Sequence, residues 1–392
     1  MNAQQIGIAN LIRSAVTGEA LPLPADFDLA EAYRQLARHQ ITELACSGGL
    51  RCGLSKEEPV MQKLFFAYCA GIQRDELQQR ALERIFSAFE AAEIDHMPLK
   101  GCNLKKLYPC RELRRMGDAD ILIRETQYKA AGRILQEQGY QPGVLTDNTY
   151  SWKTPALLVE LHIRPISRAV ADLYPYFGDG WSRAVKQQGH CYGLSPEDEY
   201  LFILAHFAKH YRSSGIGIRQ LTDLWILRRT YSLDERYLGA ELQKLHMERF
   251  HANLLRTLNA WFEGGEEDEI TQLITDYIYE SGSWGSQQAY ALSNGVELQA
   301  KKGTGPVKLR TLLYILFPPA VNIANAYPAL EKYPALLPFF WMVRGWEIFR
   351  LRRKNIGIRL HALRAVTPEG VKKRANHMEK VGLGYFFENL DK

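Results

Sequence analysis

The sequence has no C-x-x-C pair, no cysteine–histidine cluster at zinc-binding spacing and no internal repeat or low-complexity tract. It also lacks any uninterrupted apolar run of the ~20 residues that a membrane-spanning helix needs. The nearest is Tyr333 to Val343, which is short and broken by Pro334 and Pro338. Each absence excludes a class. Six cysteines scattered at Cys46, Cys52, Cys69, Cys102, Cys110 and Cys191 argue for a reducing cytosol, not a disulfide scaffold. The first residues, MNAQQIGIANLIRSAV, carry no long apolar stretch and no clear cleavage site, so no secretory leader is expected and the location reads as cytoplasmic.

Nor is there a strong excess of one charge: the net value is +5. Its distribution is uneven. Arg344 to Lys380 holds 11 Lys/Arg against 3 Asp/Glu, a local +8 that leaves −3 for the remainder. A basic tail of this kind binds phosphate, anionic lipid or an acidic partner, or stays solvated. With 46% hydrophobic and 24% charged residues the rest reads as a soluble globular body.

Four regions follow from the patterning. Residues 1–94 read as helical, with Leu29, Tyr33, Leu36 and Ala37 on one face and a long amphipathic pattern from about Val60 to Ala92. Residues 95–190 read as an α/β core. There His96 to Lys100 is short and extended, Asn103 to Tyr108 is one or two helical turns, DADILI alternates like a strand, and Thr126 to Gln138 reads as a helix capped by Thr126 and stopped by Gly139. Leu157 to Ile163 reads as a second strand. Residues 191–300 are helical again, and 301–392 form a proline/aromatic and basic region entered through a Lys/Gly/Pro linker at 301–306. The fold class is therefore α+β: a small mixed sheet, with the D-x-D strand central, enclosed by helices on both sides.

Chemistry concentrates in the core. Side chains alternate along a strand, so Asp118 and Asp120 share a face, ~6–7 Å apart from two rises, while Ala119, Ile121 and Ile123 point into a core. Two carboxylates so placed repel unless a cation lies between them, and Mg²⁺ takes a few carboxylate oxygens plus water and phosphate. Glu160 and His162 likewise share one face of the apolar strand LLVELHI; an acid there is costly unless satisfied, and a metal would satisfy it. Lys100-Gly101 at a strand end is suited to meet phosphate, with Arg114 and Arg115 as further cations.

The run LKG…LY…LRRMGDADILI…QGY…VELH resembles the family described as uncharacterised nucleotidyltransferases, a branch of the polymerase-β-type superfold. LARHQIT and LAHFAKH…IRQLTDLW resemble it too, so the likeness covers roughly residues 30 to 230. It implies that Asp118, Asp120 and Glu160 are catalytic and hold Mg²⁺ or Mn²⁺. It also implies that Lys100, Gly101 and Arg114 bind a nucleoside triphosphate, ATP first among them. His162, His206, His210, Arg219 and Asp223 would line or brace a substrate cleft. The expected reaction moves a nucleoside monophosphate to an acceptor that the sequence leaves open, a small molecule or a protein. The chain departs from the superfold in having Gly101-Cys102 where Gly-Ser is preferred, and in a longer spacer before the Asp pair.

Plainer readings stand beside these. A lone D-x-D is more often a solvated loop; the flanking motifs are what lift this one. His206 and His210 have zinc-like i, i+4 spacing, but Phe207 stands where a metalloprotease has glutamate. Lys105 and Lys106 read as surface charges, and Tyr200, Leu204, Phe207 and Tyr211 as a core stripe. The segment Ala335 to Arg350 either packs on the helical body or, within 331–380, lies on an anionic membrane surface. That surface, or a partner, would serve a catalytically inactive binding module that kept the fold. A nucleic-acid polymerase is disfavoured, because no dense basic and aromatic groove accompanies the candidate site.

Overall fold

The structure is a computed structural model, and it describes residues 1–300, 306–323, 327, 329–351 and 362–385. Most of the linker at 301–306, and residues 352–361 of the basic tail, lie outside these.

Four helices come first: α1 (Ala3–Thr17), α2 (Leu29–Arg38), α3 (Thr42–Arg51) and α4 (Pro59–Ala91). Local chemistry sets their starts. Asp28 accepts from the Ala30 and Glu31 amides, and Glu58 caps α4 with Pro59 at its first position, where a missing N–H costs nothing. The long α4 agrees with the pattern from Val60 to Ala92; α1 lies in the region read as helical, though no face pattern was assigned to it.

Among the described residues the sheet holds seven strands: β1 (His96–Pro98), β2 (Asp118–Ile123), β3 (Gln141–Leu145), β4 (Thr149–Lys153), β5 (Leu158–His162), β6 (Val185–Gln188) and β7 (Cys191–Gly193). Their order is β3-β4-β5-β2-β1-β7-β6, which puts the D-x-D strand at the centre. β2 runs parallel to β5 and antiparallel to β1; β1 and β7 are parallel, so the sheet is mixed. Between strands lie the short α5 (Gly101–Leu104), α6 (Tyr128–Glu137) and the short α7 (Tyr174–Phe177). Thr126 does not cap α6. Gln127 occupies the cap position, its side chain instead bridging the Asp95 amide and the Glu93 carbonyl. Gly139 does end the helix, at φ +86°.

Alternation on β2 and β5 sorts the two faces. Ala119, Ile121, Ile123, Val159 and Leu161 join Leu82, Ile85 and Phe89 of α4 and Leu135 of α6 in one buried core. The opposite face, carrying Asp118, Asp120, Glu160 and His162, turns toward the helical body.

That body contains α8 (Pro196–Ser213), α9 (Ile218–Thr230), α10 (Glu235–Lys244), α11 (Glu248–Phe262) and α12 (Glu269–Ser281). Ser195 caps α8, and Glu197, Asp198 and Glu199 complement its N-terminal dipole. The stripe Tyr200, Leu204, Phe207 and Tyr211 is core, as expected. Helices α13 (Gln287–Ala300), α14 (Val307–Leu316), α15 (Ala320–Ile323), α16 (Ala329–Lys332), α17 (Leu337–Leu351) and α18 (Pro368–Val381) follow. One large core draws together residues of α1–α4, Met97 and Leu122 of the sheet, α8–α12, and Met378 and Val381 of α18. Lys105 corrects its expectation: it is buried and ion-paired with Asp75, while Lys106 is exposed as anticipated.

Candidate functional site

The parallel register of β2 and β5 sets Asp120 directly opposite Glu160 and Leu122 opposite His162. All four polar side chains of the two strands thus face one side, and two of them are neighbours across the ladder. The nearest donor atoms of Asp120, Glu160 and His162 lie within 4.8 Å of one another. His162 Nε2 is 2.7 Å from Asp120 Oδ1 and 3.5 Å from Glu160 Oε2. Its other nitrogen, Nδ1, meets the Thr149 hydroxyl at 3.0 Å, which fixes the ring. Thr149 comes from β4, a strand the sequence did not disclose.

Lys100 enters from the end of β1. Its backbone takes φ +48°, a value side-chain-bearing residues rarely adopt, and the Leu99 amide ties this turn to the Asp120 carbonyl at 2.9 Å. The strain delivers its ammonium to Asp120 Oδ1 at 2.8 Å. Gly101 has a packing reason: a Cβ there would lie 2.9 Å from Arg114 Nη1 and 3.0 Å from Met116 Cγ.

Electrostatics follow from these neighbours. Burial pushes the Asp120 carboxyl up, but Lys100 and His162 outweigh it and hold the group well below the usual carboxylate range. Burial opposes the charged forms of His162 and Lys100, yet their carboxylate partners raise both. Asp118 differs. It lies outside the three-residue group, and burial together with Asp120 and Glu160 raises its pKa.

These groups open on a cleft of about 530 Å³, within the range of small-molecule sites. Lys100, Gly101, Arg114, Asp118, Asp120, Glu160, His162, His206, His210, Arg219 and Asp223 all line it. Asp120 is only 4% exposed but reaches that lining.

Two of them are engaged with each other. Arg114 donates Nε to Asp223 Oδ1 at 2.7 Å and Nη2 to Oδ2 at 2.9 Å, and the Tyr108 hydroxyl adds a third bond to that carboxylate. This buried fork fastens the loop before β2 to α9. Arg219 has no carboxylate partner among the described residues. It donates Nη1 to the Arg115 carbonyl at 2.6 Å, while its Nε is left without a hydrogen bond. Burial and Arg114 lower its pKa.

On α8, the His206 and His210 rings lie 4.4 Å apart. Burial and nearby Lys100 push His206 far down; burial and Lys209 bring His210 to about 3. Both are therefore neutral at physiological pH. Lys209, between them, was not singled out from the sequence. It lines the cleft, and burial and repulsion from Lys100 lower its pKa to about 8. Its helical spacing, three residues after His206, is the signal that marks it. Trp284, also in the lining, has no such signal, since it sits in a loop between helices.

The sequence model of the family described as "Uncharacterised nucleotidyltransferase" matches residues 25–263, well over half of the chain. The chain belongs to this family. The match spans every residue just described except Trp284. It is consistent with the polymerase-β superfamily, as is the mixed sheet with a carboxylate-bearing central strand. No curated protein and no solved structure matches the chain.

This nucleotidyltransferase-fold protein therefore carries a candidate metal-binding group of two carboxylates and one imidazole. The set of two carboxylates and an imidazole can coordinate a divalent cation. Among the described residues no helix is long and apolar enough to cross a membrane.

Proposed function

We propose that the protein is a metal-dependent nucleotidyltransferase that moves a nucleoside monophosphate from a nucleoside triphosphate, ATP first among them, to an acceptor oxygen. The observation that carries this reading is the convergence of Asp120, Glu160 and His162 within 4.8 Å, on register-matched strands, at the floor of a cleft with cationic walls. These three would hold the cation, with Asp118 beside them. The cation would neutralise phosphate charge and polarise the reacting phosphoryl group.

The chain's own residues supply the rest. Lys100, Lys209 and Arg219 are the cations that would bind the β- and γ-phosphates; Arg114, committed to Asp223, holds the wall in place. Asp118 is the general base. Its raised pKa suits it to take the acceptor proton as the acceptor oxygen bonds to the α-phosphorus. The bond from that phosphorus to the bridging oxygen breaks, and pyrophosphate leaves with the electron pair. His206 and His210, neutral and inward, would face the acceptor. Titrating ATP into the protein with Mn²⁺ tests the reading. Metal-dependent binding should be present in the native chain and lost in the Asp120→Ala, Glu160→Ala double variant. Equal binding by both proteins rejects it.

A second reading, a membrane-seated binding module, has its own observation. On α17, Leu337, Phe340 and Trp341 pack inward with Ile323 and Leu330, while Phe339 and Met342 are 54% and 68% exposed. On α14, Leu309, Leu313 and Leu316 are exposed. Apolar stripes within a basic region suit an anionic bilayer. Co-sedimentation with anionic vesicles, lost on Phe339→Glu plus Met342→Glu, supports it; absence of vesicle binding removes it.

A further inference from the structure

Trp284 stands at the tip of a turn that is pinned on several sides. The turn is closed by the Gly285 amide on the Gly282 carbonyl at 3.1 Å, with both glycines at positive φ, +75° and +64°. Ser283 donates its amide to the Arg38 carbonyl at 3.2 Å and its hydroxyl to the His39 carbonyl at 2.7 Å. Gln220 Nε2 donates to the Ser283 carbonyl at 3.3 Å, and the Ser286 amide to the Ser214 carbonyl at 2.7 Å. Five hydrogen bonds thus hold a turn whose largest side chain adds little to the core: the indole is 72% exposed. Its surroundings are those of the cleft, which it lines.

Its position along the cleft is informative. A Cβ placed on Gly117 would lie 3.7 Å from Trp284 Cη2, so the indole covers the residue immediately before Asp118. Gly117 immediately precedes β2 and lies three residues before Asp120, at most about 10 Å along the chain. A ribose and base extending from an α-phosphate held at the Asp120 group would reach toward the indole. Arg219, a cation with an unpartnered Nε, lines the same cleft and donates to the carbonyl of Arg115, three residues before Asp118.

We infer that Trp284 is the platform on which the base of the bound nucleotide stacks. This rests on the nucleotide reading above and extends it to a base subsite. An exposed indole on a fixed turn offers a large flat face at little ordering cost, and every nucleobase has a matching π-face. The contact tolerates any base and favours the larger purines. It separates a nucleotide from a bare polyphosphate.

The test is calorimetric titration of the full chain, in Mn²⁺, with ATP and separately with inorganic tripolyphosphate. Native protein is compared with Trp284→Ala and Trp284→Phe. The alanine variant should bind ATP more weakly by on the order of 10- to 100-fold, with tripolyphosphate affinity unchanged. Phenylalanine should recover most of the loss. Because the indole is largely exposed, the melting temperature should hold in both variants. Unchanged ATP binding by Trp284→Ala, or equal weakening of ATP and tripolyphosphate, overturns the base subsite and leaves the nucleotide reading standing. A native protein that binds neither ligand overturns both.

Discussion

His162 Nε2 and Lys100 Nζ meet the same oxygen of Asp120, at 2.7 Å and 2.8 Å. A lysine ammonium and an imidazole nitrogen therefore occupy the position that a divalent cation would take beside that carboxylate. These two partners are how a nearly enclosed Asp120 keeps a pKa below the usual carboxylate range. On the proposed reading, an entering cation would compete with Lys100 and recruit His162 as a ligand, freeing the lysine for phosphate.

Metal choice follows from the imidazole. Mn²⁺ should bind more tightly than Mg²⁺ by roughly ten-fold or more, because Mg²⁺ holds to oxygen ligands and water while a transition ion accepts a nitrogen ligand more readily. Replacing His162 with alanine should shrink that preference, and Asp120→Ala should abolish binding of both. Competition of Mg²⁺ against the paramagnetic signal of Mn²⁺ reads this directly.

Arg114 and Asp223 form a buried fork, so removing one partner leaves the other charged and dry. Asp223→Ala should cost about 3–5 kcal/mol of folding stability in denaturant unfolding. Replacing both with apolar residues, Arg114→Met with Asp223→Leu, should recover much of it. Little effect from Asp223→Ala would show that the fork does not hold the cleft wall.

The backbone of Lys100 gives a comparison in which side-chain loss cancels. Lys100→Gly and Lys100→Ala both remove the ammonium from Asp120. Only glycine accepts φ +48° without strain, so the glycine variant should be the more stable by about 1 kcal/mol. Equal stability would mean that the turn relaxes.

Lys209 supplies a pH dependence with two opposed signs. Its amine is lowered from the ordinary lysine value to about 8 by burial and by Lys100. Below pH 8 it is an ammonium and attracts phosphate; above, it is neutral. Tripolyphosphate affinity should therefore fall as pH rises through about 8, and Lys209→Arg should flatten that profile. Folding stability runs the other way. The unfolded chain holds this proton up to the ordinary lysine value, so the group's contribution grows as pH rises from about 8 toward that value.

Much of this site is legible in the sequence because strand alternation is a two-residue rule. DADILI and LVELH place four polar side chains on one face with no further information, and the parallel register of the two strands then aligns Asp120 with Glu160. Which three residues converge is not legible. That depends on the pairing register and on the twist of the ladder, and the result groups His162 with Asp120 and Glu160 and leaves Asp118 beside them. The hairpin strands β3 and β4 escaped notice because QPGVL is exposed throughout and carries Pro and Gly, as an outermost strand can. Lys105 misled for a different reason: its partner, Asp75, lies thirty residues earlier on α4, and no local pattern reveals such a pair. Trp284 was invisible because its meaning lies in the turn beneath it and in Gly117 across the cleft.

The most direct test of the central claim is an anomalous difference map from a crystal soaked in Mn²⁺. The expected result is a peak bound jointly by Asp120, Glu160 and His162, with Lys100 turned away from Asp120. A map with no peak there, and the Lys100–Asp120 contact intact at saturating Mn²⁺, would contradict it.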